Sequence, residues 1–538
     1  MSMPMRRPRP KALQPNAESL EGRLLLSKTI SGTDLKGDTW SLTLTGPGDL
    51  LVTKQNGPDG KPAPLNSHTD IKTIEVAGGD PISTRLDGTV TPAPGSDGRV
   101  LFQQLEEIGG KSERLPAANG INTIEIPGFW LANTNTAVTL PTTGATPVEI
   151  RIPDGVQILN FGGVDATINP PPANATTGAL TANTINVDLG LPFTIGTSII
   201  VNKVISGARI GPATGGTAPT PTQDSVTFTV LGRLNLFQAD EIDGSTASPS
   251  TGFQGGGGTI VISQTDPFTT ITGQIGDVRI GGNATDFATQ TNGLVSNFYI
   301  GGETNNIFLL APGGSRNIYF GKGMDTVTID THTLENLNAN RGALNSNVTI
   351  ERSAGRILIG GDVVGTKILS GYTFGLGTEF TNQTAGTPVA QDGGGFTTLV
   401  GGNVTNSVFA ASVQPFNNVF GSTSDLILPT GHITAKVEGT INNTTITPDS
   451  PTKAFYAKSV KQTQGPIIPP IVPESPFPRT VYHHGQNGLT GPRALFAHST
   501  PHPAATSQGS SARAAALAAR QAAAAANAQA RASKTGKK

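Results

Sequence analysis

Three carboxylates within four residues, Asp240, Glu241 and Asp243 in the run ADEIDG, form the densest acidic group in the chain. Curled around a point, such a loop offers the hard oxygen ligands that Ca²⁺ takes. Three acids followed by a glycine also make an ordinary solvated turn. Four of the seven histidines, His483, His484, His498 and His502, lie in VYHHGQNGLTGPRALFAHSTPHP, where imidazoles so spaced could meet a transition metal. The prolines and glycines around them argue instead for a solvated linker. His332 and His432 stand alone in the sequence. No GxSxG, HExxH, P-loop or Rossmann fingerprint is present, nor the calcium-binding nonapeptide of other β-solenoids. No catalytic residue, metal or cofactor is assigned on these grounds.

The elements that would position these groups are strands and turns. Sixty-eight glycines, 40 prolines and the scarcity of Lys/Glu/Leu-rich runs before residue 510 disfavour helical domains. Between about 270 and 450 one pattern returns: VRIGGNATD, FYIGGETNN, IYFGKGMDT, ILIGGDVVG, TLVGGNVTN and AKVEGTINN. Its markers are Gly281, Gly301, Gly321, Gly360 and Gly401, with Glu438 in the equivalent place. The separations are 20, 20, 39, 41 and 37 residues, read as one or two units of a period near 20. Gly342 and Gly421 fall near two skipped positions.

Residues one and three before each marker are mostly apolar, as in Val278/Ile280, Phe298/Ile300 and Ile357/Ile359, with Thr398 and Ala435 weaker members. Arg279 and Tyr299 between them should face outward. Asn306, Gly365, Asn406 and Asn443, five residues beyond the markers, suit a left-handed turn. Each period then makes one coil, and coils stacked about 4.8 Å apart form aliphatic and asparagine ladders. Weaker echoes lie around Gly78 and Gly162. The pattern predicts an all-β, right-handed parallel β-solenoid, since consecutive β-sandwiches would need hairpin turns every 8–12 residues or so.

The long breaks in the pattern, such as NPPPANATTGAL and GSTASPSTGFQGGGG, should leave the solenoid as loops. Four regions follow: 1–27, a basic N-terminal segment; 28–270, β-rich, with early coils and long insertions; 271–464, the repeats; and 465–538, a Pro-rich linker with an Ala-rich basic tail, disordered or partly helical. Charged residues are only 14% of the chain and nearly balanced, 37 Lys+Arg against 38 Asp+Glu, so no specific nucleic-acid partner is expected. The absence of cysteine removes disulfides and thiol catalysis.

Leu24, Leu25 and Leu26 follow the basic residues Arg6, Arg7, Arg9 and Lys11, yet the run is too short for a signal-peptide core or a transmembrane span. ESLEGRLLLS is similar to the Leu-Glu-x-Arg-x-Leu-Leu-Ser motif that opens many secreted and surface proteins of planctomycete bacteria. Leu20, Glu21, Arg23, Leu25, Leu26 and Ser27 match it, and Gly22 stands where that family often has Pro or Asp. The resemblance implies sorting or export, to the cell-envelope surface or beyond. The repeats separately resemble glycine-rich β-helix surface proteins of the adhesin type. A capping turn with buried leucines is the structural alternative for the opening motif.

Parallel β-helices also include polysaccharide lyases and glycosidases, which need paired carboxylates or an acidic cluster holding Ca²⁺ beside a base. The acids of the repeats, Asp277, Asp286, Glu303, Asp325, Asp330, Glu335, Glu351 and Asp362, do not recur one coil apart at a common register. The reading preferred is a non-enzymatic surface or secreted solenoid that presents a binding face to a glycan or envelope protein. The enzyme is the alternative.

Overall fold

The computed structural model describes residues 27–462, apart from insertions and turns such as 57–60, 109–119, 135–146, 170–182, 211–220, 245–257, 262–272, 374–388, 415–425 and 448–454. The N-terminal motif before Ser27 and the tail beyond 462, with His483, His484, His498 and His502, lie outside the described residues. So does Gly421.

Among the described residues every regular element is a strand, and 33 of the strands form one continuous sheet wound into a parallel β-solenoid. Each coil crosses three parallel ladders. The first holds Ile275–Ile280, Val295–Ile300, Ser315–Phe320, Leu334–Ala339, Ser353–Ile359 and Gly395–Val400. The second is short, with Met324–Asp325, Gly342–Leu344, Asp362–Val364 and Val404–Thr405. The third holds Val327–Thr331, Asn347–Ile350, Lys367–Ser370 and Val408–Ala411.

Period-2 alternation on the first ladder sends every second side chain into the bore. Ile280, Ile300, Phe320, Ala339, Ile359, Val400 and Val437 stack in a single buried column, as the markers imply. Upstream it continues through Ala239, Val201, Phe161 and Ile126. The 39-residue step is two coils, Ala339 filling the gap. The steps of 41 and 37 are a correction, because each is one coil enlarged by an insertion. Gly162, after Phe161, is a true marker, whereas Gly78 ends a strand of the third ladder.

Insertions leave at two corners. Residues between 132 and 149, 165 and 184, and 243 and 258 depart between the second and third ladders; those between 370 and 395 and between 411 and 431 depart between the third and the next first. Where no insertion occupies the second-to-third corner, the chain turns in one residue. Asp286, Asn306, Thr326, Asn345, Asn406 and Asn443 all have φ between 45° and 56°, and Gly365 has φ 60°. Asn306 donates from Nδ2 to Asp286 Oδ1 (2.5 Å) and Asn443 to Asn406 Oδ1 (2.7 Å).

The next residue is apolar in three coils, Phe287, Ile307 and Val327, and becomes Ser346, Thr366, Ser407 and Thr444 in the following ones. These buried hydroxyls form a spine. Each donates to a carbonyl two residues back and accepts a backbone N–H from the preceding coil, as Ser346 Oγ does from Val327 N (3.1 Å) and Ser407 Oγ from Thr366 N (3.2 Å). Polar groups so satisfied can stand in a core.

Antiparallel strands close the N-terminal end. Ser27–Thr33 pairs with Thr39–Thr45, which pairs with Arg85–Thr91, and Asp49–Lys54 pairs with Ile71–Ala77. Lys54 is buried inside this cap, its ammonium donating to the carbonyls of Thr33, Leu65 and Ser67.

Thr326 is the one β-branched residue in the left-handed corner column, a conformation that costs such residues of order 1–3 kcal/mol. Asn at this position adopts it readily and extends the neighbouring amide column. Thr326→Asn is therefore expected to stabilise the protein by about 1 kcal/mol, read as a raised midpoint in thermal unfolding; an unchanged or lowered midpoint counts against strain at this corner.

Candidate functional site

The register places Asp240 where other coils carry their marker glycine, since Ala239 pairs with Ile280 and Asp240 precedes a corner as Gly281 does. The acidic run therefore occupies the corner between the first and second ladders. Its three carboxylates do not converge on a cation. Lys203, on the preceding coil and paired with Glu241 in the ladder, reaches Glu241 Oε2 at 3.0 Å and Asp243 Oδ2 at 3.7 Å. An ammonium thus sits where a metal would be needed, and no group of three His, Asp or Glu side chains among the described residues could hold one.

Asp240 lines a shallow cleft of about 380 Å³ with Asp97, Arg99, Trp130, Lys203 and Glu241. Burial raises its carboxyl above the ordinary range. Asp97 is held by Lys36 at 2.8 Å and by Arg99 at 3.9 Å, and the Arg99 guanidinium lies 4.1 Å from the centre of the Trp130 ring. The indole is only 5% exposed. It is walled by Gly162 and Gly163, where a Cβ would come within 3 Å of ring atoms. Trp130 is thus packed as a wall under a cation, rather than offered as an open platform.

The marker glycines act through space, not backbone freedom. None of Gly281, Gly301, Gly321, Gly360 and Gly401 takes a positive φ. A Cβ on Gly360 would stand 2.1 Å from the Asn340 carbonyl oxygen of the coil before, and one on Gly301 would stand 2.5 Å from that of Gly281. Of the N-terminal motif, Ser27 alone is described, and it starts the first cap strand opposite Thr45. Leu20, Glu21, Arg23, Leu25 and Leu26 precede the described residues.

Three carboxyls are buried enough to hold protons near neutrality. Burial pushes Asp286 up to about 7, with Asp243 adding repulsion and Asn306 opposing it. Glu107 rises to about 7 through burial and the neighbouring Asp154, and Asp70 to about 6 chiefly through burial. Asp286 Oδ2 and Glu107 Oε1 have no hydrogen-bond partner. His332, which stands alone in the sequence, meets Glu351 of the next coil at 2.5 Å.

The most regular surface is one that the acids did not reveal. On the outside of the first ladder, Asn317 donates to Asn297 (3.0 Å), Asn336 to Asn317 (3.0 Å), and Asn297 to Asp277 (2.5 Å). In the adjacent column the rings of Tyr299 and Tyr319 stack at 4.9 Å and within 3° of parallel. The signal was present in VSNFYI, SRNIYF and LENLNA, whose asparagines keep one offset from the corner. No family model, curated protein or solved structure matches this chain.

A carboxyl held protonated in the fold but ionised in the unfolded chain favours folding at low pH. Between the ordinary carboxylate range, about pH 4, and pH 7 unfolding releases its proton, so stability falls as pH rises through that window. Asp286, Glu107 and Asp70 all act in this sense. Asp286→Asn, neutral at every pH and suited to the corner φ, should match the parent's unfolding temperature at pH 4 and exceed it at pH 8. Equal values at pH 8 would remove Asp286 from this account.

Proposed function

We propose that this protein is a non-enzymatic structural or adhesive β-solenoid, exported to the cell-envelope surface or beyond, that presents a binding face to a glycan or an envelope protein. The observation that carries the reading is the fate of the acids. In the cleft Glu241 and Asp97 are paired to cations, and the proton-holding carboxyls Asp286 and Glu107 are closed off in the interior. General acid–base work on a polymer needs carboxyl groups that face one another across the substrate. Adhesion needs only area, hydrogen-bonding side chains and a fold that resists opening.

A near-neutral surface rich in Thr, Asn and Ser supports a life outside the cell, as does the resemblance of ESLEGRLLLS to a sorting motif. Among the described residues no helix is long and apolar enough to cross a membrane.

One observation favours the alternative, a β-helix lyase or glycosidase. Asp240 has a raised carboxyl and shares its cleft with Arg99 and Lys203. Purified full-length protein incubated with acidic and neutral polysaccharides should leave their chain lengths unchanged while being retained by a glycan or an envelope fraction. Cleavage that disappears in Asp240→Asn would overturn the proposal. Cell fractionation should find the parent outside the cytoplasm, and a chain lacking residues 1–27 inside it.

A further inference from the structure

The outer column of the first ladder runs Arg279, Tyr299, Tyr319, Asn338, Leu358, Leu399, Lys436, one residue per coil. Every member but Arg279, which is exposed, is half-buried. At the usual strand spacing it extends about 29 Å along the axis. Between its terminal cations it holds two rings, an amide and two leucines, with no charge. Alongside it lies the amide column Asn297, Asn317 and Asn336.

The chemistry of this pair of columns is specific. Each asparagine uses one N–H along the ladder, and Asn297 and Asn317 also accept there on one side of the carbonyl, which leaves the second N–H and a lone pair to point outward once per coil. The tyrosine rings face each other, so an incoming ligand meets their edges and hydroxyls. Tyr319 Oη accepts from Asn340 Nδ2 at 2.6 Å, which leaves its own O–H to donate. The result is a straight strip of low charge, its amide column bounded by Asp277 and Arg356, with donors and acceptors repeating at the coil spacing beside a narrow apolar rail.

A polyanion would find no cation in the rail between Arg279 and Lys436 and a single one, Arg356, in the column beside it, too few to neutralise a repeating charge. A protein partner would find too thin an apolar strip for the buried centre that stable interfaces carry. A neutral polymer of linked sugar rings presents hydroxyls in repeating order and C–H faces between them, and it matches both columns.

We infer that the Arg279–Lys436 strip with its asparagine column is a docking track for a neutral polysaccharide lying along the solenoid axis. The inference rests on the adhesive reading above and names its site and ligand class.

The test is co-sedimentation of the full-length protein with insoluble cellulose, chitin and xylan, beside soluble pectate and alginate in affinity electrophoresis. The parent should be retained by at least one neutral polymer. Tyr299→Ala/Tyr319→Ala should weaken retention tenfold or more, and Asn297→Ala/Asn317→Ala should do likewise. Asp240→Asn, in the cleft, should bind as the parent does. Tyr299→Phe/Tyr319→Phe keeps the stack and removes only the hydroxyls, so it should fold as the parent and still lose part of the binding.

Retention of a neutral polymer unchanged in both alanine pairs overturns the track and leaves the adhesive reading standing. Binding to pectate or alginate alone overturns the assigned ligand class. A parent that binds no polysaccharide but is retained by an envelope fraction overturns the track only, and one that binds neither overturns both.

Discussion

A solenoid only three short strands around has a bore one side chain deep, and everything else in this protein follows from that constraint. A residue entering the bore touches the equivalent residues of the coils above and below at about 4.8 Å and the side chains that face it across the narrow bore. Burial therefore works by columns. Ile280, Ile300, Phe320, Ala339 and Ile359 differ in size, and the adjoining column Val278, Phe298, Ile318, Leu337 and Ile357 varies with them. The phenylalanines Phe237, Phe287, Phe298 and Phe320 continue as a file of ring contacts 6.1–6.4 Å apart, two stacked and one edge-on. A charge repeated in such a column would meet its own kind at every step. That accounts for a chain with 14% charged residues, and for charges that pair across coils with the opposite sign, as in Lys203 with Glu241 and Arg316 with Glu335.

The corners obey the same rule through the backbone. Coils approach so closely at the marker position that a Cβ on Gly360 or Gly301 would strike the carbonyl beneath it, so two consecutive small residues became the repeat's signature. At the next corner the chain reverses in one residue, which selects Asn, Asp or Gly. An insertion relaxes a corner, because the chain no longer has to turn there in one residue. The coils between 121 and 261 carry their insertions at the corner where the later coils carry the left-handed residue.

This explains what the sequence made legible. The Gly markers, the apolar pairs before them and the turn residues Asn306, Gly365, Asn406 and Asn443 are each favoured by local geometry in the coils without insertions at those corners, so they recur and can be read. The spine of Ser346, Thr366, Ser407 and Thr444 could not be read, because a buried hydroxyl is distinguished from a surface one only by the backbone N–H of another coil. Nor could the separations of 41 and 37 residues be resolved, since a coil with an insertion and two plain coils have nearly the same length. The antiparallel cap lacks the repeat altogether, and Lys54 inside it looks in sequence like any strand-end lysine. Asp240, Glu241 and Asp243 were visible as a cluster, but the neutralisation of Glu241 and Asp243 depends on Lys203, 38 and 40 residues away and one coil below.

The Asp240 corner shows how far the register governs the chemistry. With glycine at the marker position, the corner is closed by the coil beneath and presents no side chain. With Asp240 and Glu241 there, charge appears at a place where the preceding coil must answer it, and Lys203 does so. Asp240 and Glu241 also line the cleft that holds Arg99 and Trp130. Function on a scaffold of this kind can enter in two ways: by breaking the repeat at one corner, which yields a local charged site, or by keeping the repeat on an outer face, which yields a long site of low charge. The first depends on a few residues and is sensitive to each. The second multiplies a weak contact by the number of coils, so its strength grows with the length over which the register is held. In this chain the register runs from Ile275 to Val437 with one shift, between Ser353 and Arg356.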